Sequence, residues 1–185
     1  MNAQRVLDIG CGPKRDPRAT DGTDYYPYPG VTVVHDLLRF PWPFADGAFD
    51  HAVCHQVIEH IPVNGVAGED PFFRFFDEVW RILGPAGTLE FDVPHVCGGN
   101  AFGDPTHRRF FVPETFRHLW DPTIDPKYPR KRWSVERVRV DRVYSFGIAN
   151  DYHVRKYLPR LHEALVSMGW GRPHEIRFVL RRSVS

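Results

Sequence analysis

The chain has 185 residues, of which 42% are hydrophobic, and this suits one globular domain with a full apolar core. Its formal net charge at pH 7 is +1, so it has no overall attraction to polyanions such as nucleic acids. No apolar run is long enough to span a bilayer, and we expect neither a membrane association nor a signal peptide. Three cysteines, Cys11, Cys54 and Cys97, lack metal-ligand spacing, which indicates reduced thiols in a cytoplasmic protein.

The first predicted element is a buried strand that runs into a turn with two glycines. Residues 5–9 are mainly apolar and β-branched, and Gly10 and Gly12 follow directly. Open α/β sheets bind nucleotides at the carboxyl edge of such strands, where a Cβ would hold the ligand away from the backbone. A dinucleotide-binding turn has a third glycine where this chain has Arg15, so the turn disfavours NAD(P).

Strands are predicted next at residues 19–25, 31–37 and 49–54, and acidic residues fall near the ends of the first two. An acid at the end of the second strand, here Asp24, can accept hydrogen bonds from both hydroxyls of a ribose. Only residues 13–23 connect Gly12 to Asp24, and a parallel crossover with a helix usually needs more. We therefore expect the first helix to be shortened or replaced by a loop.

A helix is predicted between Asp70, as its N-cap, and a glycine stop at Gly84. Its core face is predicted from apolar residues at helical spacing, namely Phe72, Phe73, Phe76, Val79, Trp80 and Leu83. A fifth strand should cover residues 87–94 and a short helix residues 113–120. The remaining chain predicts a strand, a helix and a last strand at residues 133–146, 158–168 and 175–181.

Several of these segments resemble one enzyme family. Residues 8–12 (Asp-Ile-Gly-Cys-Gly) resemble motif I of the class I S-adenosylmethionine (SAM) methyltransferases, and residues 55–61 are close to the family's Val-Leu-Glu-His segment. Residues 105–111 (Pro-Thr-His-Arg-Arg-Phe-Phe) resemble a small bacterial and phage branch of that family. The resemblance implies a Rossmann-like α/β fold in a single domain over residues 1–185, with a seven-stranded, mostly parallel sheet whose last strand is antiparallel.

The same resemblance implies SAM as cofactor and suggests which residues hold it. In the family, the glycine turn lies against the methionine part of the cofactor and the acid after the second strand meets the ribose. The acid after the third strand meets the adenine amino group, and the next backbone N–H meets a ring nitrogen. The expected cofactor-binding residues are Asp8, Gly10, Cys11, Gly12, Asp24, Tyr25, Asp36, Leu37 and His55.

The histidines near the predicted strand ends are candidates for a general base, which a hydroxyl or amine acceptor requires. They are His55, His60, His95 and His107, and we expect His107, His60 and His55 to be catalytic. No Asn-Pro-Pro-Tyr-like motif follows the fourth strand, so O-methylation is favoured over N-methylation. A non-catalytic, methyltransferase-like binding module is the alternative from another class, because any of these histidines can instead cap a loop.

A metal site is a further alternative at Glu59, His60 and His107. The chain resembles small-RNA 2′-O-methyltransferases and ubiquinone-pathway O-methyltransferases here, and these use a Glu-x-x-Glu-His segment and a later histidine to bind a metal. The first of those acids is replaced by Gln56, and a neutral amide oxygen holds a divalent ion poorly. We therefore expect no metal, with His60 and His107 lining the acceptor pocket.

The acceptor site is expected to be open, since the chain has no N-terminal helices of the kind that often cover the substrate in this family. A shallow pocket suits a bulky acceptor, such as a glycan, a carrier-bound intermediate, a peptide or a nucleic acid. Alternatively, a homodimer closes the pocket over a small molecule.

Overall fold

The computed structural model describes residues 4–63, 70–124, 133–143, 159–167 and 172–183. Within these residues, seven strands form one sheet: β1 Val6–Ile9, β2 Asp21–Asp24, β3 Val33–Val34, β4 Phe49–His55, β5 Leu83–Pro94, β6 Trp133–Val143 and β7 Arg172–Arg182. The strand order is β3-β2-β1-β4-β5-β7-β6, and β7 is antiparallel to both of its neighbours. The predicted seven-stranded, mostly parallel sheet with an antiparallel last strand is confirmed.

The α-helices of the described chain are α1 Pro71–Ile82, α2 Gly99–Gly103 and α3 Pro159–Ser167, and two 3₁₀ helices cover Ile58–His60 and Pro113–Leu119. Helix α1 begins as predicted, because the Asp70 side chain accepts a hydrogen bond from the backbone N–H of Phe72 at 2.9 Å. The predicted glycine stop is wrong: Gly84 lies inside β5, which starts directly after the helix. In the part of the chain that the structure describes, no helix is long and apolar enough to cross a membrane.

The apolar face of α1 packs on one side of the sheet. Its buried hydrophobic residues are Pro71, Phe72, Phe75, Phe76, Val79 and Ile82, whereas Phe73 and Trp80 are only partly buried. The Phe76 ring meets Phe91 of β5 at 5.6 Å between centroids, and Phe91 stacks on Phe178 of β7 at 5.0 Å. Full burial of a phenylalanine contributes about 1.5–3 kcal/mol, so these rings supply much of the core.

The chain from Gly10 to Thr20 forms no helix, which confirms the expectation of a loop in place of the first helix. Side chains hold this loop against the other face of the sheet. The buried Asp8 carboxylate accepts the backbone N–H of Asp16 at 2.7 Å, and Arg18 reaches Glu90 of β5 at 3.0 Å.

The third strand is shorter than predicted, with two residues in place of seven. Backbone pairing continues for a short distance on each side, since Thr32 donates to the carbonyl of Gly22 at 2.8 Å and His35 to that of Asp24 at 2.9 Å. Asp36 then lies in a turn, where its carboxylate accepts the backbone N–H of Leu38 at 3.0 Å. The turn keeps Asp36 at the same sheet edge as Asp24.

Candidate active site

The glycine turn after β1 leaves its backbone open to a ligand. Gly10 and Gly12 have φ values of 69° and 55°, which favour glycine. A Cβ on Gly10 would lie 2.4 Å from a methyl group of Val57, so this glycine allows the turn to pack against the segment after β4. A Cβ on Gly12 would meet no atom within 4 Å, so the backbone there borders open space.

Cys11, between these glycines, is a buried small residue and not a nucleophile. Burial raises the pKa of its thiol to about 11, and the nearby carboxylates of Asp8 and Asp24 act in the same direction. The thiol is therefore protonated near neutral pH.

Asp24 lies beside the open surface at Gly12. One of its carboxylate oxygens accepts the backbone N–H of Gly12 at 2.9 Å, and the other accepts that of Tyr26 at 3.0 Å. Each oxygen of a carboxylate accepts more than one hydrogen bond, so both retain capacity for the hydroxyls of a ribose. The following side chain, Tyr25, is 62% exposed and meets Tyr26 edge to face at 5.0 Å.

Arg15 closes the loop that follows the glycine turn. Its guanidinium donates to the backbone carbonyl of Thr20 at 3.3 Å and to that of Gly30 at 3.1 Å. Arg15 therefore occupies the position at which a dinucleotide-binding turn has its third glycine. An open backbone at Gly12 beside an acid at Asp24 fits the adenosine and amino-acid parts of SAM.

The structure places the four predicted histidines in three different surroundings. His55, the last residue of β4, lies near the loop that follows the glycine turn, with its Nε2 3.9 Å from Asp16, and its Nδ1 is 2.6 Å from a carboxylate oxygen of Asp92. His60 and His107 lie together at the 3₁₀ helix that follows β4. His95 is buried, and its Nδ1 accepts the backbone N–H of Cys97 at 3.0 Å, which is a structural contact.

Glu59, His60 and His107 form a cluster, and the rings of His60 and His107 lie edge to face with centroids 4.8 Å apart. His107 Nε2 lies 4.0 Å from Glu59 Oε1. Glu59 is 1% exposed, and neither oxygen of its carboxyl group has a hydrogen-bond partner among the described residues. Burial raises the pKa of Glu59 to about 7.

Hydrogen bonds define the protonated nitrogen of each imidazole in the cluster. The Thr106 hydroxyl donates to Asp104 at 2.6 Å, so at 3.0 Å it accepts from Nδ1 of His60. His107 Nδ1 donates to the carbonyl oxygen of Ala101 at 3.0 Å. Each ring therefore carries its proton on Nδ1, and each neutral ring has a free lone pair on Nε2.

This arrangement can accept a proton or bind a divalent cation. One atom from each of Glu59, His60 and His107 lies within 4.8 Å of the others. The amide of Gln56 does not join them, because it donates to Asp92 at 2.8 Å. Asp92, which the sequence analysis did not single out, therefore organises two residues at the end of β4. Its position near the carboxyl end of a predicted strand was the available signal.

Comparisons with known proteins support the fold class. A family model described as a methyltransferase domain matches residues 18–91. A solved SAM-dependent methyltransferase from Archaeoglobus fulgidus has 16% identity, with 98% of this chain and 87% of that chain covered and a TM-score of 0.65. One from Mesorhizobium loti has 17% identity, coverage of 98% and 92%, and a TM-score of 0.58.

A third similar structure is a putative methyltransferase from Haloferax volcanii in complex with the Trm112 methyltransferase activator. It has 14% identity, with 99% of this chain and 84% of that chain covered and a TM-score of 0.58. No curated protein matches the chain. The structural matches show the fold, and the family match adds the methyltransferase domain. The family match over residues 18–91 and the shared fold support a SAM-dependent methyltransferase, an enzyme with SAM as its cofactor.

Proposed function

We propose that this enzyme methylates an oxygen atom, namely a hydroxyl group on a bulky or carrier-bound acceptor. The main support is the pair of Nε2 lone pairs on His60 and His107 beside the buried Glu59. A hydroxyl is a weak nucleophile until it loses its proton, and an imidazole is a suitable base near neutral pH.

The chemistry divides between the cofactor and the protein. Held at the glycine turn and Asp24, SAM would supply an electrophilic methyl group, whose bond to sulfur would break as the bond to the acceptor oxygen forms. His107 Nε2 receives the proton of the hydroxyl, while its Nδ1–H stays on the carbonyl of Ala101. The Glu59 carboxylate, 4.0 Å away, then stabilises the imidazolium. Nε2 of His60 accepts a second hydrogen bond from the acceptor and helps to orient it.

An exposed aromatic pair beside His107 supports a large acceptor. Phe102 and Phe110 are 65% and 44% exposed, and their rings stack at 4.4 Å between centroids. Exposed rings of this kind offer a contact surface to a sugar ring, a base or an acyl chain. Glycans, carrier-bound intermediates, peptides and nucleic acids remain the candidate acceptors, and a homodimer that encloses a small molecule is the other version.

An acceptor screen with matched hydroxyl and amine compounds tests the proposal, with S-adenosylhomocysteine (SAH) formation as the readout. We expect turnover with hydroxyl acceptors, and exclusive turnover of amines would contradict it. Light scattering gives the oligomeric state of the same sample. A monomer that is active on small free substrates would contradict both the bulky-acceptor and the dimer versions.

Metal-assisted O-methylation is a second candidate, because the same three residues form a ligand set. Both imidazoles have their Nδ1–H bound to other groups, which is how metal-binding histidines are usually held. Two imidazole nitrogens and a carboxylate suit a divalent ion such as Mn²⁺, which would polarise the acceptor hydroxyl.

Chelation separates the two candidates. With a histidine base alone, turnover continues in EDTA, and Mn²⁺ titrated into the protein gives no binding heat. Loss of turnover in EDTA and its return with Mg²⁺ or Mn²⁺ would favour the metal. In that case the Glu59→Gln variant should also lose the binding heat of Mn²⁺.

A further inference from the structure

Asp92 fixes the end of β4 through three hydrogen bonds. Its Oδ2 lies 2.6 Å from Nδ1 of His55, its Oδ1 accepts from the side chain of Gln56 at 2.8 Å, and its backbone carbonyl accepts the N–H of Gln56 at 3.3 Å. Gln56 has a φ of 53°, a left-handed conformation that a non-glycine residue adopts only with support. Asp92 is 5% exposed, so these bonds are sheltered from water.

The bond to Asp92 also determines how His55 presents its other nitrogen. A carboxylate only accepts, so Nδ1 of His55 carries a proton. Nε2 lies 3.9 Å from Oδ2 of Asp16, which is longer than a hydrogen bond, and Asp16 already binds Arg18 through both oxygens. The side chain of His55 is 36% exposed, and its Nε2 has no hydrogen-bond partner among the described residues.

The surroundings of His55 favour its charged form. Charged groups near it come from β1, the loop after the glycine turn, β5 and β7, and they are Asp8, Asp16, Arg18, Glu90, Asp92 and Arg177. The hydrogen bond that His55 donates to Asp92 raises the pKa of His55, although burial opposes it. Burial also opposes the ionisation of Asp92, but the bonds from His55 and Gln56 outweigh it and lower the pKa of that acid.

His55 borders the place where the amino-acid part of the cofactor fits. The glycine turn packs against the segment after β4, since a Cβ on Gly10 would lie 2.4 Å from Val57. Asp8, at the start of that turn, is close enough to His55 to perturb its pKa. A cofactor whose methionine part lies on this turn brings a carboxylate and an ammonium group to the Nε2–H of His55.

We propose that cationic His55 binds the methionyl carboxylate of SAM through Nε2–H, and that Asp92 is the positioning residue that keeps His55 oriented and charged. This assignment depends on SAM as cofactor and not on the hydroxyl acceptor proposed above. Binding measurements without an acceptor therefore test it separately.

The test compares two ligands by calorimetry. SAH contains the amino-acid end, whereas 5′-methylthioadenosine lacks both its carboxylate and its ammonium group. His55→Gln should weaken SAH binding roughly 10- to 100-fold, as expected for a charge-assisted hydrogen bond, and leave methylthioadenosine within about 2-fold. Asp92→Asn should weaken SAH binding in the same selective way, because its amide no longer favours the imidazolium.

The proposal also predicts that the affinity for SAH decreases as the pH rises. A carboxylate binds the protonated imidazole, so SAH affinity should be highest at low pH and should fall as the pH rises through the raised pKa of His55. Methylthioadenosine affinity should stay level over the same rise in pH. His55→Gln should abolish the pH dependence for SAH.

His51→Gln is the matched control, because His51 lies on the same face of β4 and binds Thr88 at 2.7 Å, away from the sheet edge. Its SAH affinity should equal that of the unmodified enzyme. An equal loss of both ligands in His55→Gln, or an SAH affinity that is independent of pH, would overturn the proposal. NMR titration of His55 in the unmodified enzyme needs no variant: SAH should raise its pKa, and an unchanged or lowered pKa would also overturn it.

Discussion

His60 and His107 lie edge to face, with ring centroids 4.8 Å apart, although His60 ends a 3₁₀ helix and His107 lies in a loop far along the chain. Thr106, the neighbour of His107, binds Nδ1 of His60 at 3.0 Å. The backbone N–H groups of Arg108 and Arg109 both donate to the carbonyl of Glu59, at 2.8 and 3.1 Å. These bonds fix the loop to the 3₁₀ helix before any acceptor binds, which reduces the reorganisation that catalysis would require.

Replacement of His107 by alanine should lower kcat by roughly 10²- to 10⁴-fold, the usual contribution of a general base. SAH affinity should stay unchanged, because the proposed function assigns His107 to the acceptor and not to the cofactor. Steady-state kinetics and calorimetry on the same preparation measure both quantities, with His51→Gln as the control. A folded His107→Ala enzyme with near-normal kcat would show that the histidine is only structural.

Asp24→Ala should weaken SAH binding by about 1–3 kcal/mol, because it leaves the ribose hydroxyls without an acceptor. Asp36→Ala should cost less, since the backbone N–H of Leu37 remains available to the adenine. Calorimetry measures both. Asp21→Asn is the control on the same strand, where the side chain pairs with Arg5 at 3.3 Å and lies at the other end of β2. Unchanged SAH affinity in Asp24→Ala would place the ribose contact elsewhere.

The sheet edge was predictable, because parallel strands bring their carboxyl ends together and each such end carries a recognisable signal. The glycine turn at Gly10 and the acid at Asp24 therefore appear where the sequence indicated. The pairing register was not predictable, since it depends on contacts between distant strands. Only the register of β4 on β5 places His55 opposite Asp92 and creates their hydrogen bond.

The sequence pattern alone did not determine which residues are buried or where an element ends at positions where a neighbouring element decides this. Helix α1 is rich in aromatic residues on several faces, and the position of the sheet selects Phe75 for burial over Phe73. Gly84 resembles a helix stop, yet it continues into β5 because Leu83 before it is already extended. The third strand ends at Val34 although its sequence favours a longer one, because β3 is an edge strand with one neighbour.

Removal of the exposed ring at Phe110 should raise the KM for the acceptor with little change in kcat. Loss of one aromatic contact of about 0.5–1.5 kcal/mol corresponds to roughly a 2- to 12-fold increase. Phe102→Ala should act in the same direction, since the two rings stack. Leu161→Ala, an equally exposed apolar position on α3, is the control. Acceptor kinetics that are identical for all three variants would contradict a role for the aromatic pair.

Thiol labelling should distinguish the exposed cysteine from the two buried ones. A pKa of about 11 for Cys11 leaves roughly one thiolate in a thousand at about pH 8, and burial also raises the pKa of Cys54. Cys97 is exposed and should react first with an aromatic disulfide reagent. Cys97→Ser should therefore remove the fast phase. A fast phase that persists in Cys97→Ser would contradict the buried, protonated state of Cys11.

Arg109 and its neighbour Arg108 should differ sharply in their effect on stability. The guanidinium of Arg109 donates to the carbonyls of Ile61 and Pro62, at 2.9 and 2.6 Å, and to Asp70 at 2.5 Å. Arg109→Ala removes these three hydrogen bonds, including the ones to the backbone carbonyls of Ile61 and Pro62, and should lower the free energy of unfolding by about 2–3 kcal/mol. Arg108 is exposed, and Arg108→Ala should stay within about 0.5 kcal/mol of the unmodified enzyme.

Urea unfolding at constant pH measures the free energy of unfolding for both variants. The slope of this free energy against urea concentration shows whether each variant exposes the same amount of surface on unfolding. Arg109→Lys keeps the charge but cannot reach three acceptors with the geometry of a guanidinium, so it should recover only part of the loss. If Arg109→Ala and Arg108→Ala have equal stability, the hydrogen bonds of Arg109 do not hold the loop. Because this loop carries His107, a destabilised Arg109→Ala enzyme should also have a lower kcat.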